Sequence, residues 1–146
     1  MDGRPFGYRM QLFSQTGYNL TIKSTGDIVG TQDDSDQDSH IEISSGGDVS
    51  LVRLLGTNSN LYVCYASNGE IYGEYNNCFI FIFKDNTGDP SNTGTVFIEE
   101  FHGSYSAYKS VLYPEWYIGI KKNGLPKKGF RTKYGQKAIK FLPRRL

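Results

Sequence analysis

The sequence predicts an all-β fold, and three observations carry that expectation. No stretch sustains apolar residues at i, i+3, i+4 and i+7. Short alternating runs are instead punctuated by Gly, Asn, Ser and Asp, and the 17 glycines and 11 tyrosines supply turn formers and strand formers. In "WYIGIK", Trp116, Ile118 and Ile120 share one side of a strand while Tyr117 and Lys121 take the other. A chain of 146 residues suits one domain that buries roughly 68–70% of its unfolded surface.

Taken in order, the alternating runs fall into three similar units. "NLTIKSTGDIVG" (19–30), "NLYVCYASNGEIYG" (60–73) and "WYIGIKKNGLPKKG" (116–129) each read as a strand, a turn and a second strand or loop ending in Gly. Gly26, Gly69 and Gly124 supply the positive φ that such tight hairpins need. A strand is expected before each hairpin, at "YRMQLF" (8–13), "VSLVRLL" (49–55) and "TVFIEEF" (95–101). Another is expected after each, at "HIEIS" (40–44), "CFIFIF" (78–83) and "AIKFL" (138–142).

Twelve strands in three four-stranded repeats with pseudo-threefold symmetry describe a β-trefoil, a six-stranded barrel capped by three hairpins; periodicity alone also admits a sandwich. The turn glycines are 43 and then 55 residues apart, so the third repeat is read as having absorbed about a dozen extra residues. The polar, Gly- and Pro-bearing segment "KDNTGDPSNTG" (84–94) is the expected insertion. The domain then covers residues 9–143, with 1–8 an N-terminal extension and 144–146 a tail.

Charge is segregated along the chain. Residues 103–146 hold 11 of the 16 Lys and Arg and a single acid, Glu115, for a net +10, while residues 1–102 carry a net −9. Such segregation speaks to partners rather than to fold. Residues Lys121 to Ala138 alone contain seven basic residues and no acid. Their mutual repulsion points to an external polyanion, whose sulfates or carboxylates would accept charge-assisted hydrogen bonds.

Other chemistries are poorly supported. A single-stranded nucleic acid would want stacking platforms among the cations, and only Phe130 and Tyr134 interleave. Gly124 to Gly129 has P-loop spacing but is followed by Phe130-Arg131-Thr132 rather than Lys-Ser/Thr. Asp34, Asp36 and Asp38 imitate the start of an EF-hand loop, yet Ser39 and Ser45 stand at its sixth and twelfth positions. His40 and His102 have no partner at metal-ligand spacing, and no catalytic motif is visible, so no enzyme, metal or cofactor is expected. The longest apolar run, Phe79 to Phe83, is too short to span a membrane, so no membrane insertion is expected. The absence of Gln-x-Trp repeats argues against a ricin-like lectin trefoil. Cys64 and Cys78 match no zinc spacing, and by themselves they allow either two buried thiols or one disulfide.

One resemblance runs through the whole domain. "GIKKNGLPKKGFRTKYGQKAIKFLP" resembles the C-terminal region of the fibroblast growth factors, including the spacing of its basic residues. "GTQDDSDQ" (30–37) is similar to their first-repeat loop, "NGEIYG" (68–73) to their second-repeat turn, and "SYSAYKS" (104–110) to their ninth-strand region. The resemblance implies a β-trefoil that is no enzyme: a secreted ligand of receptor tyrosine kinase ectodomains, with heparan sulfate or heparin as co-ligand. The start "MDGRPFGYRM" shows no secretory signal. The family's intracellular branch, which acts on sodium channels, supplies the alternative: a non-signalling trefoil using its basic face on nucleic acid or a channel protein.

The resemblance also implies sites. Lys121, Lys122, Asn123, Lys127, Lys128, Arg131, Gln136 and Lys137 would line the glycan groove, with Lys133 adding to the field. Phe13 (where the family usually has Tyr), Tyr105 and Leu142 match receptor-contact positions. Cys78 sits at a common family cysteine and Cys64 where one subgroup has its disulfide partner, implying a Cys64–Cys78 bond around the Asn68-Gly69 turn. Gln32, Ile82 and Arg144 depart from the family pattern. Asn19-Leu20-Thr21 is an N-glycosylation sequon, although it falls in an expected strand.

Overall fold

A computed structural model describes residues 8–45, 50–75 and 94–146. Its strands are β1 (Tyr8–Ser14), β2 (Asn19–Ile22), β3 (Ile28–Thr31), β4 (Ile41–Ser45), β5 (Leu51–Gly56), β6 (Leu61–Tyr65), β7 (Ile71–Glu74), β8 (Phe97–His102), β9 (Tyr105–Ser110) and β10 (Phe141–Arg145). Six of them close a barrel through antiparallel pairs: β1 with β4, β4 with β5, β5 with β8, β8 with β9, β9 with β10, and β10 with β1. Closure removes the exposed edges that an open sheet would present. Two capping hairpins are β2–β3 and β6–β7.

The third hairpin is held by a bridge between Ile120 and Pro126 rather than a full ladder. Pro126 occupies the place that Ile28 and Ile71 take opposite Ile22 and Tyr65, and its ring nitrogen has no hydrogen to donate. With this hairpin included, the chain makes the β-trefoil that its repeats predict.

The threefold relation extends to single side chains. Ser14 opposite Phe141, Gly56 opposite Ile41 and Ser110 opposite Phe97 are equivalent, and each sets a small residue against a large one. Leu12, Leu54 and Tyr108 form a second triplet, and all three are fully buried, as are Ile41, Phe97 and Phe141. Leu20, Val63 and Ile118 face the core from the three hairpins.

Across the cap, the amides of Gly30, Gly73 and Gly129 donate to the carbonyls of Gly124, Gly26 and Gly69 at 2.7, 2.7 and 2.9 Å. Each hairpin therefore donates to one neighbour and accepts from the other, closing a ring of three hydrogen bonds. A side chain at Gly129 would not fit, because an added Cβ would lie 2.4 Å from the Trp116 ring.

The assignment of two strands to repeats changes. β8 pairs with β5 and forms a hairpin with β9, the relations that close a second repeat and open a third. The segment 95–101, expected to open the third repeat, thus contributes the closing strand of the second, and "YSAYKS" opens the third. The segment 78–83, expected to close the second repeat, lies outside the described residues, as do residues 84–93 of the expected insertion. The extra length belongs to the second repeat: residues 75–96 separate β7 from β8, whereas residues 32–40 separate β3 from β4, an excess of 13. At the end of the chain, Lys137–Ile139 form a 3-10 turn and the strand begins at Phe141.

Candidate functional site

Two chemically different surfaces emerge from this frame. The first is the basic stretch after the third hairpin. Its turn is set by Gly124 at φ 83° and by Asn123, whose Oδ1 accepts from the Leu125 amide at 3.1 Å. The Lys127 amide donates to the Gly119 carbonyl and the Ile120 amide to the Ala138 carbonyl, which lays both ends of the basic stretch along one hairpin strand. Thr132, 4% exposed, fastens the middle: its Oγ1 donates to the Gly129 carbonyl at 2.6 Å and accepts from the Tyr117 amide at 2.9 Å.

With the backbone so fixed, Lys121, Lys122, Asn123, Lys128, Arg131, Lys133 and Lys137 are exposed and Lys127 is half-buried. Among the described residues, only Lys128 of these cations has an acidic partner within 4.0 Å, Glu70 at 3.4 Å. Gln136 is half-buried and holds the loop together. Its Oε1 accepts from the Lys133 amide at 3.0 Å and its Nε2 donates to the Arg131 carbonyl at 3.2 Å, so the side chain staples the loop.

The second surface lies on the barrel wall. Phe13 and Leu142 are register partners across β1 and β10. Ser106 pairs with Phe141, and carrying that register one residue further sets Tyr105 opposite Leu142. Because Ser14, Phe141 and Ser106 point inward, their neighbours Phe13, Leu142 and Tyr105 point outward in one stripe over three adjacent strands. Residues about a hundred positions apart in sequence thereby form a continuous apolar row.

Arg144, one of the departures noted in the sequence, borders that row. Its guanidinium lies 4.7 Å from the centre of the Phe13 ring, donates to Asn19 Oδ1 at 2.7 Å and pairs with Asp34 at 3.1 Å. Asn19 Nδ2 also donates to Asp34, at 2.8 Å. Asn19 is 1% exposed, so a glycan at this sequon would have to displace both the Asp34 loop and Arg144. The sequon is closed in the folded chain, a consequence of tertiary packing that the local motif does not reveal.

The acidic loop is committed to internal partners as well. Lys23 reaches Asp36 at 3.4 Å and Asp38 at 3.3 Å, so the carboxylates that imitate a calcium loop are tied to cations. Among the described residues there is no cluster of three or more His, Cys, Asp or Glu able to hold a metal. Cys64 is buried, with its Sγ 3.8 Å from the Tyr65 carbonyl, while Cys78 and Ile82 lie outside the described residues.

Hydrogen bonds from Asn19 and then Arg144 hold the Asp34 carboxyl below its ordinary range. A carboxylate whose pKa is depressed by folding stabilises the native state above its unfolded pKa and loses that contribution as pH falls through the folded value. Asp34→Asn should therefore flatten the acid limb of stability below about pH 4. Thermal melts of both proteins from pH 6 down to pH 2 check this; parallel curves would remove Asp34 from the acid response.

Most of the chain matches a known family. The family model described as "Fibroblast growth factor" covers residues 8–142. The chain belongs to the fibroblast growth factor family. It is 37% identical over 131 residues to "Fibroblast growth factor 1" of Xenopus laevis, spanning 87% of this chain and 74% of that protein. It is 34% identical over 133 residues to "Fibroblast growth factor 1" of Notophthalmus viridescens, spanning 89% of each. Fibroblast growth factors share this all-β trefoil, and receptor and heparan sulfate binding are general properties of the family. In this member the basic stretch and the apolar row occupy separate parts of the fold.

Proposed function

We propose that this protein is a secreted growth-factor ligand that joins a receptor tyrosine kinase ectodomain to heparan sulfate and so promotes receptor dimerisation. The observation that supports this reading is the pairing of two surfaces on one family trefoil. One is an exposed cationic loop with a single acidic partner among the described residues, suited to dispersed sulfates and carboxylates. The other is the Phe13–Leu142–Tyr105 row, suited to the few large apolar anchors that dominate protein interfaces. Among the described residues no helix is long and apolar enough to cross a membrane.

The two surfaces should fail separately. Tyr105→Ala is expected to weaken binding to a receptor ectodomain by ~2 kcal/mol, about thirty-fold, with heparin elution unchanged. Lys128→Glu should weaken heparin binding and leave heparin-free ectodomain binding intact. Surface plasmon resonance of each variant against each ligand, with melts to confirm folding, measures both effects. Wild-type protein that binds no receptor ectodomain would overturn the extracellular reading in favour of an intracellular trefoil. The proposal also includes the Cys64–Cys78 bond, which would close a ~14-residue loop worth roughly 3 kcal/mol in the chain-entropy model. Unfolded, unreduced protein should then titrate no thiols; two would exclude the bond.

A further inference from the structure

Tyr134, 73% exposed, lies 4.6 Å from the His102 ring, and the other exposed aromatic side chain of the basic stretch is Phe130. It is 55% exposed, whereas Phe97, Tyr108 and Phe141 are fully buried. Its position is nevertheless fixed. The 3-10 turn Gly129–Arg131 carries it, Gly129 lies against Trp116, and one edge of the ring rests on Gly69 of the second hairpin. A Cβ at Gly69 would lie 2.6 Å from Phe130 Cδ2 and 2.7 Å from Cε2. The ring is therefore an apolar surface seated against the second hairpin and presented to solvent.

Its immediate neighbours are cations. The Lys128 ammonium is 6.0 Å and the Arg131 guanidinium carbon 5.9 Å from the ring centre. Lys128 also meets Glu70, a half-exposed contact that an incoming anion can replace at little cost. The site thus offers an exposed, electron-rich ring with two mobile cationic side chains lying over it at about 6 Å. A sulfated pyranose has the complementary form. Its ring presents axial C–H bonds of slight positive charge on one face, and its anionic groups project from the rim.

We propose that Phe130 is a stacking platform for one pyranose ring of a sulfated glycan, with Lys128 and Arg131 taking the anionic groups at that ring's edge. The proposal rests on the glycan reading above and adds to it a non-electrostatic contact that distinguishes a sugar from other polyanions. Charge alone would treat heparin and a linear polyphosphate alike. A stacking ring would not.

The test compares wild type with Phe130→Ala, Phe130→Leu and Phe130→Tyr. Each is titrated with a size-defined heparin oligosaccharide and with linear polyphosphate over a NaCl series, with melts to confirm folding. Phe130→Ala and Phe130→Leu should each lose about tenfold in oligosaccharide affinity, as expected for removing part of a phenylalanine's apolar contact. Both should keep the wild-type slope of log affinity against log salt, because no ionic contact is lost. Polyphosphate binding should not change, and Phe130→Tyr should behave as wild type.

An equal loss on both polyanions would mean that Phe130 only shapes the loop, and no loss on either would mean that no sugar ring touches it. Each of these results overturns the proposal while leaving the glycan reading standing. Wild type without salt-dependent oligosaccharide binding would remove the glycan reading itself, and the proposal with it.

Discussion

Replacing Lys127, Lys128 and Arg131 together by alanine is expected to weaken heparin binding about a hundredfold at low salt, with elution from a heparin column at a lower salt concentration. Three charge-assisted contacts worth about 1 kcal/mol each account for a loss of this size. The mechanism predicts more than the loss. Cations that displace counterions from a polyanion make affinity fall linearly with log salt, so removing three of them should also make the salt dependence shallower. Native stability should hold or rise slightly, because the residues removed repel one another and, among the described residues, only Lys128 has an acidic contact, with Glu70. Lys109→Ala is the matched control: this cation already pairs with Glu100 at 3.2 Å on the barrel wall, and its loss should barely move elution. Unchanged elution of a folded triple variant would show that the basic stretch is not the glycan site.

Phe97→Ala is expected to destabilise the protein by about 3–5 kcal/mol, a large fraction of the 5–15 kcal/mol that holds a typical domain together. Phe97 is fully buried and equivalent to Ile41 and Phe141, so truncation opens a cavity in the barrel. Its neighbour Ile98 is only half-buried, and Ile98→Ala should cost about 1 kcal/mol. Denaturant titrations of the two variants check the difference. Near-equal losses at the two positions, or a loss under about 1 kcal/mol at Phe97, would mean that β8 is not the closing strand of the second repeat.

That strand also marks where the sequence stops being legible. Three hairpins and their turn glycines could be read directly, because a tight turn imposes a local demand on φ that Gly26, Gly69 and Gly124 meet. Choosing a closing strand required a long-range partner. Both 78–83 and 95–101 have the composition of strands, and composition does not name what a strand pairs with; the pairing of Leu51 with Ile98 decides the matter for the second.

The basic stretch was legible because its charges are consecutive in sequence. The apolar row was not. Phe13, Tyr105 and Leu142 were singled out by resemblance, and only barrel closure brings them to one face. Asn19 is the opposite case: the sequon is a local pattern, but its accessibility depends on Asp34 and Arg144, which arrive from elsewhere in the chain. Gln136 and Phe130 show the same limit, since residue type does not tell a loop staple from a ligand contact or an exposed ring from a core one.

The ring of three glycine hydrogen bonds separates architecture from identity. Every donor and acceptor in it is backbone, so this ring itself is closed without any side chain. Substituents on the turns are therefore released from the task of defining the fold, and the three corners can carry unlike chemical loads. Here the first two corners are acidic, with Asp27 beside Gly26 and Glu70 beside Gly69, while the third carries Lys121 and Lys122. A scaffold built in this way can exchange its partners by rewriting one corner while its other two corners keep the same address in space.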